Sequence, residues 1–184
     1  MDTQKFLEIA ARLKSVKRTG WVERGVEGAE SVADHSWMMA LMCMVLPFEG
    51  DRDKAVKMAL VHDIAEAEVG DIITKENWPA KGTMNEKDKT SLERKAIKKL
   101  ASLLDAETAK EVQSLWDEFE EGKTREASFV RDIDIAECLI QAYRYHKAGN
   151  FRKPLEGFWD ERTIGWIKSE SIKTLVRKVI GSGW

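Results

Sequence analysis

Apolar residues along the chain recur mainly at spacings of three and four, the signature of helices with one buried face. Phe6, Ile9, Ala10 and Leu13 predict a first helix over residues 3–16, closed before Gly20. Ser31-Val32-Ala33-Asp34 has the form of a capping box, and the apolar run from Trp37 to Leu46 carries a second helix to Pro47. Asp51 or Asp53 starts a third, with Val56, Ala59, Leu60 and Ile64 inward and a stop at Gly70. Residues 70–84 hold Gly70, Pro79 and Gly82 and read as a loop. Leu92, Ala96, Leu100 and Leu103 mark a fourth helix, and Val112, Leu115, Trp116 and Phe119 a fifth that ends at Gly122. Phe129, Ile133, Ala136, Ile140 and Tyr143 give a sixth, up to Gly149, and residues 169–180 a last one. No segment sustains period-two alternation, so the expected class is all-α, with antiparallel helices joined by short loops.

Composition narrows this further. A chain of 184 residues is the size of one domain and can bury roughly 70% of its extended surface. Lys and Arg total 30 against 32 Asp and Glu, a net charge of −2, which gives no general attraction to a nucleic-acid polymer or an anionic membrane. The longest run without a formal charge, His35 to Phe48, is fourteen residues, too short for a membrane span of about 20. The first residues form neither a basic nor an apolar leader segment, so a cytoplasmic location is expected. Cys43 and Cys138 lie inside helical apolar patterns and suit reduced thiols.

The candidate chemistry rests on three histidines, His35, His62 and His146. His35 falls in the first turn of the second helix. His62 is followed by Asp63 in a segment apolar on most sides, where an unpaired carboxylate costs several kcal/mol. A bound cation solves that problem for both side chains. Asp134, between two isoleucines in the sixth helix, is a second buried carboxylate, with Asp132 competing for the same role or serving as a solvated helix charge. His35, His62, Asp63 and Asp134 form a two-imidazole, two-carboxylate set suited to one divalent ion such as Mn, Co, Zn, Ni or Fe. Taken singly, each histidine also reads as an ordinary satisfied core residue. His146 reads as a cation at a helix C-terminus.

The order His35, His62-Asp63, Asp134 resembles that of the HD-domain metal-dependent phosphohydrolases. Residues 13–21 (LKSVKRTGW), 30–36 (ESVADHS), 59–66 (ALVHDIAE), 69–72 (VGDI) and 129–134 (FVRDID) are similar to the HD-domain 5′-deoxynucleotidases, over about residues 5–147. The resemblance implies a single helical HD-type domain with a C-terminal helical extension over about 150–184. It also implies a homodimer that hydrolyses deoxynucleoside 5′-monophosphates to deoxynucleoside and phosphate. It makes His35, His62, Asp63 and Asp134 the metal ligands, Glu66 the acid/base, Arg18 the phosphate contact and Asp71 the sugar-hydroxyl contact. Some members carry Trp directly after that arginine; here Thr19 follows Arg18 and the tryptophan is Trp21, the candidate sugar-side contact.

The residues agree with this in part. Glu66 is four positions after His62, on the same face of a continuous helix. Arg12, Lys14, Lys17, Arg18 and Arg24 stand against Glu23 alone in residues 12–24, and the Arg18 fork can grip two phosphate oxygens. The Met84–Lys99 stretch reads as a solvated face. Other HD-type substrates, cyclic, triphosphorylated or bis-phosphorylated nucleotides, are alternatives within the enzyme class. A non-catalytic module in which the ion only pins helices together needs neither Arg18 nor Glu66. Trp159, Trp166 and Trp184 in the tail pack on the core or cover a protomer interface.

Overall fold

The computed structural model describes residues 1–74 and 84–182; Pro79, Gly82 and Trp184 lie outside the described residues. Ten α-helices are found among the described residues: α1 (Thr3–Ala10), α2 (Thr19–Glu23), α3 (Val32–Val45), α4 (Arg52–Val61), α5 (Glu66–Val69), α6 (Glu86–Ala101), α7 (Ala106–Glu121), α8 (Arg125–Ala148), α9 (Glu161–Ile164) and α10 (Glu170–Ser182). Extended pairing among the described residues is limited to two isolated bridges, Lys17 with Ser31 and Thr74 with Met84. The all-α expectation holds.

Helix starts follow local chemistry. Ser31 Oγ accepts from Asp34 N–H while the Asp34 carboxylate accepts from Ser31 N–H, closing the expected capping box of α3. Asp51, Asn85, Asp105 and Thr124 cap α4, α6, α7 and α8 with their side-chain oxygens. Gly122 and Gly149 end α7 and α8 in the left-handed conformation that glycine adopts without strain.

Three departures from expectation bear on the site. The first helix stops at Ala10 and tightens into a 3-10 turn over Ala11–Lys14 that Ser15 closes, and the helix does not resume before Thr19. The third helix is not continuous to Val69. It ends at Val61, and the bonds then change from His62 N–H to Met58 O into the shorter pattern Ile64 to Val61, Glu66 to Asp63 and Ala67 to Ile64. That tightening changes the pitch by which His62, Asp63 and Glu66 are aimed. Finally, α2 and α9 are short helices that periodicity did not predict, because one turn has too few residues to show a period.

The core has three parts. Met39, Cys43, Met58, Ile133, Ala136, Leu139 and Val176 bring α3, α4, α8 and α10 together. Ile9, Leu13, Ile64, Ile97, Leu100 and Trp116 join α1, the turn before α5, α6 and α7. Trp21, Ala142, Tyr145 and Leu155 close the third. Asp132 is neither a metal ligand nor a solvated charge: it is buried and accepts from the backbone N–H groups of Lys168 and Ser169, each at 2.8 Å, at the start of α10. His146 is in the last turn of α8, as expected, but its ring packs 5.8 Å from Phe151 and 5.1 Å from Trp159. It is twelve residues, about 18 Å of helix, beyond Asp134.

Candidate metal centre and active site

His35 enters from the first turn of α3, His62 from the end of α4, and Asp134 from the middle of α8. One ligand atom from each lies within 4.8 Å of the other two. The imidazole rings are 5.5 Å apart, and both are buried. The hydrogen bonds of the rings fix what faces the shared space. His62 Nδ1 is 2.8 Å from Ala59 O. A carbonyl oxygen only accepts, so Nδ1 donates to it and Nε2 is the ring atom turned to the shared space. His35 Nδ1 is 2.6 Å from Glu137 Oε2. Both Nε2 atoms are buried without a hydrogen-bond partner.

Each of these nitrogens nevertheless faces a carboxylate. His62 Nε2 is 3.0 Å from Asp63 Oδ2, and His35 Nε2 is 3.2 Å from Asp134 Oδ1. Two acceptors at such distances repel unless a proton or a cation lies between them. Donors bound at about 2.1 Å, at right angles about one ion, stand about 3.0 Å apart, which these separations match. His35, His62 and Asp134 therefore fit a divalent cation, whereas Asp63 lies outside that mutual grouping and meets it through its contact with His62 Nε2. Burial opposes an imidazolium at His35, but Asp134 and Glu137 outweigh burial and push its pKa up to about 9, so a proton substitutes for the cation. Burial raises the Asp63 carboxyl, yet His62 and then Arg18 hold it well below the usual carboxylate range.

Arg18 reaches this site because residues 16–18 run antiparallel beside residues 30–32. Arg18 N–H donates to Glu30 O and Val32 N–H to Val16 O, so the arginine is pinned to the start of the helix that carries His35. Its Nη1 is 3.4 Å from Asp63 Oδ2. Asp71 is brought to the same turn by a different bond from the one expected: Oδ2 accepts Thr19 N–H at 2.5 Å, and Thr19 Oγ1 donates to Asp71 O at 2.6 Å.

Trp21 is not brought to the site surface. It is 2% exposed, its indole N–H donates to Glu30 Oε1 at 2.9 Å, and its ring packs on Tyr145 and Phe158. The two residues between Arg18 and Trp21 complete the first turn of α2 and turn the indole into the core, which corrects the expectation of a substrate contact.

Glu66 is 1% exposed, and its Oε2 has no hydrogen-bond partner. Burial, then Asp63 and Asp71, raise its pKa well above the usual value, against the opposing pull of Lys89 and Arg18. Lys89 Nζ lies 3.9 Å from Glu66 Oε1 and 3.5 Å from Glu93 Oε1. Burial, ahead of the partly offsetting pull of Lys89, raises the Glu93 carboxyl to about 7. The start of α6 is thus no uniformly solvated face: Lys89 and Glu93, four apart, both turn inward. Glu68, two residues on from Glu66, pairs instead with Arg12 and Lys99.

Sequence reasoning missed Lys89, Glu93, Glu30 and Glu137. The signal for Glu137 was present: it follows Asp134 by three positions, on the same helical face. Burial and then Glu137 raise the Glu30 carboxyl to about 7, although Trp21 N–H opposes this.

Comparison with known proteins agrees with this arrangement. The family described as HD domain matches residues 10–165. The chain is 38% identical to the 5′-deoxynucleotidase HDDC2 of Mus musculus over 176 residues, 95% of this chain and 85% of that one. It is 41% identical to the Dictyostelium discoideum protein of the same name over 152 residues, covering 78% of this chain and 77% of that one. Among solved structures, the PH0347 protein of Pyrococcus horikoshii OT3 superposes with a TM-score of 0.75 at 32% identity, over 97% of this chain and 96% of that one. With its matched family and its helical metal-ligand arrangement, the chain belongs to the HD-domain family.

Proposed function

We propose that this protein is a metal-dependent phosphomonoesterase that releases phosphate from deoxynucleoside 5′-monophosphates. The observation that carries this reading is the pair of buried Nε2 atoms of His35 and His62, each turned toward a carboxylate oxygen, beside the Arg18 guanidinium. The relatives' name, 5′-deoxynucleotidase, supports the substrate class. A site that only pinned helices would need neither Arg18 nor Glu66, and both border it.

His35, His62, Asp63 and Asp134 are assigned as the ligands of one divalent ion of the Mn, Co, Zn, Ni or Fe class. When bound, the ion supplies Lewis acidity, acidifying water and polarising a phosphoryl oxygen. Arg18 grips the phosphate and offsets charge on its oxygens; Asp63 holds the guanidinium ready for that role. Glu66, buried and with its pKa raised above the usual carboxyl value, is assigned as the acid that supplies a proton to the leaving 5′-oxygen. Lys89 steadies Glu66 from α6. Asp71 fixes the Arg18–Thr19 turn through Oδ2, and its second oxygen is assigned to the sugar hydroxyl. Trp21 supports that turn from behind through Glu30.

The whole chain is taken as one HD-type unit, since Asp132 and the core ties of Ile172 and Val176 fasten α10 to α8. No described helix is long and apolar enough to cross a membrane, and the two cysteines are free thiols, which supports cytoplasmic action. A homodimer is proposed through the outer face of α3, where Trp37, Met44 and Val45 are 63%, 55% and 62% exposed.

The test strips the protein of metal, restores Mn, Co, Zn or Mg singly, and assays phosphate release from dAMP, AMP, dATP and cyclic AMP. Release from dAMP that depends on restored metal is expected. Turnover of dATP without dAMP, or wild-type turnover by metal-free Asp63→Ala, overturns the reading.

A further inference from the structure

We infer that Glu137 is a positioning residue that fixes the tautomer and orientation of His35, so that the strength of metal binding at Nε2 depends on a carboxylate at Nδ1. This rests on the metal site proposed above, and it adds a residue that neither the motif order nor the ligand set names.

The geometry is specific. Glu137 Oε2 is 2.6 Å from His35 Nδ1, the shortest polar contact of either imidazole among the described residues, and the two side chains are 4% and 0% exposed. That distance also decides what the contact is. Glu30, His35 and Glu137 place ligand atoms within 4.8 Å of one another and could be taken for a second metal group. Two ligands of one ion, each bound at about 2.0–2.2 Å, stand close to 3 Å apart or more. A separation of 2.6 Å is that of a charge-assisted hydrogen bond, with Nδ1–H donating.

The fold supplies both contacts to His35 from one helix. Asp134 and Glu137 lie three apart on α8. The first faces Nε2 at 3.2 Å and the second faces Nδ1, so the ring of α3 is gripped at both nitrogens by one turn of α8. A carboxylate on Nδ1–H increases electron density at Nε2 and strengthens it as a ligand. His62 has only the Ala59 carbonyl at the equivalent atom. His35 is thus the more basic ligand of the pair, and its basicity is set by Glu137. Behind Glu137, Glu30 is held by Trp21 N–H, which keeps that side of the network closed.

The test measures Mn affinity of the full chain by competition with a chromophoric chelator, without substrate, for wild type, Glu137→Gln and Glu137→Leu. Gln keeps an oxygen that can accept Nδ1–H and loses the charge; Leu removes both. The expected order is a Kd raised about tenfold for Gln and toward about a hundredfold for Leu, with helical circular dichroism preserved. A residue serving only to fill the core would lower the melting temperature of the metal-free protein and leave Kd alone. Kd within about twofold of wild type for Glu137→Gln overturns the inference, and this variant decides the matter if Glu137→Leu does not fold. Wild-type protein that binds no Mn sinks the metal reading itself; wild type that binds and variants that bind equally well sink only the role of Glu137.

Discussion

Two carboxyl groups in this site are driven in opposite directions by their surroundings. The pKa of Asp63 is held well below the usual carboxylate range by His62 and Arg18 despite its burial, whereas that of Glu66, three residues later, is raised well above it, chiefly by burial. Such divergence assigns one group to charge and the other to proton transfer. Glu66→Gln is therefore expected to lower kcat by about 10²–10⁴-fold while Mn binding persists, and Asp134→Ala to lose both; equilibrium dialysis beside a phosphate-release assay separates the two outcomes. The metal-free protein carries its own pH signature. The pKa of His35 is raised from 6.5 to about 9, so its stabilising contribution is fully present below pH 6.5 and is lost as the pH climbs through 9. The scale is about 3 kcal/mol. Glu30, raised from 4.5 to about 7, acts in the same direction between those values, because burying its charge costs more once it ionises. Thermal melts of metal-free protein should thus fall steadily from pH 5 to pH 9.5. Mn affinity should rise over the upper part of that range, as the proton on His35 ceases to compete.

At the level of elements, the decisive feature is the break after Val61. A straight helix through residues 51–69 would satisfy the apolar periodicity equally well. The structure instead tightens at His62, and Ile64, Ala65 and Ala67 pack toward α1 and α6. Periodicity reports that a face is buried, not the pitch at which the chain turns, so the break was not legible. The caps at Ser31 and Asp51 were legible, because each depends on residues within three positions: Ser31 with Asp34 is the clearest. The function of Asp132 was not, because its partners Lys168 and Ser169 are 36 and 37 residues away. Asp132→Ala leaves both N–H groups without that acceptor and is expected to destabilise the fold by about 1–2 kcal/mol. Urea unfolding measures this; kcat and Mn affinity should stay at wild-type values, since α10 touches the site only through the core.

For the whole molecule, α3 has two working sides. One carries His35, Met39 and Cys43 into the interior, and the other leaves Trp37, Met44 and Val45 in solvent. A helix apolar all round reads from sequence as fully buried, so its exposed side is a finding of the tertiary structure. Trp37→Glu is expected to shift sedimentation from dimer to monomer while circular dichroism stays unchanged; a wild-type protein that is already monomeric refutes that interface.

The sequence by itself determined the helical class and the capping box at Ser31, and it singled out His35, His62, Asp63, Asp134, Arg18 and Glu66 as candidates. Periodicity, capping and the separated motifs are all written in residue types at short spacing. Only the tertiary structure decided which atoms of those residues meet. The tautomer of His62 depends on a carbonyl in its own last helical turn, that of His35 on a carboxylate 102 residues away, and the burial of Trp21 on α8. Lys89 turned out to face Glu66, with Glu93 buried against Lys89, because α6 packs beside α5. Each of these is a long-range contact or a side-chain direction, and neither leaves a period in the chain.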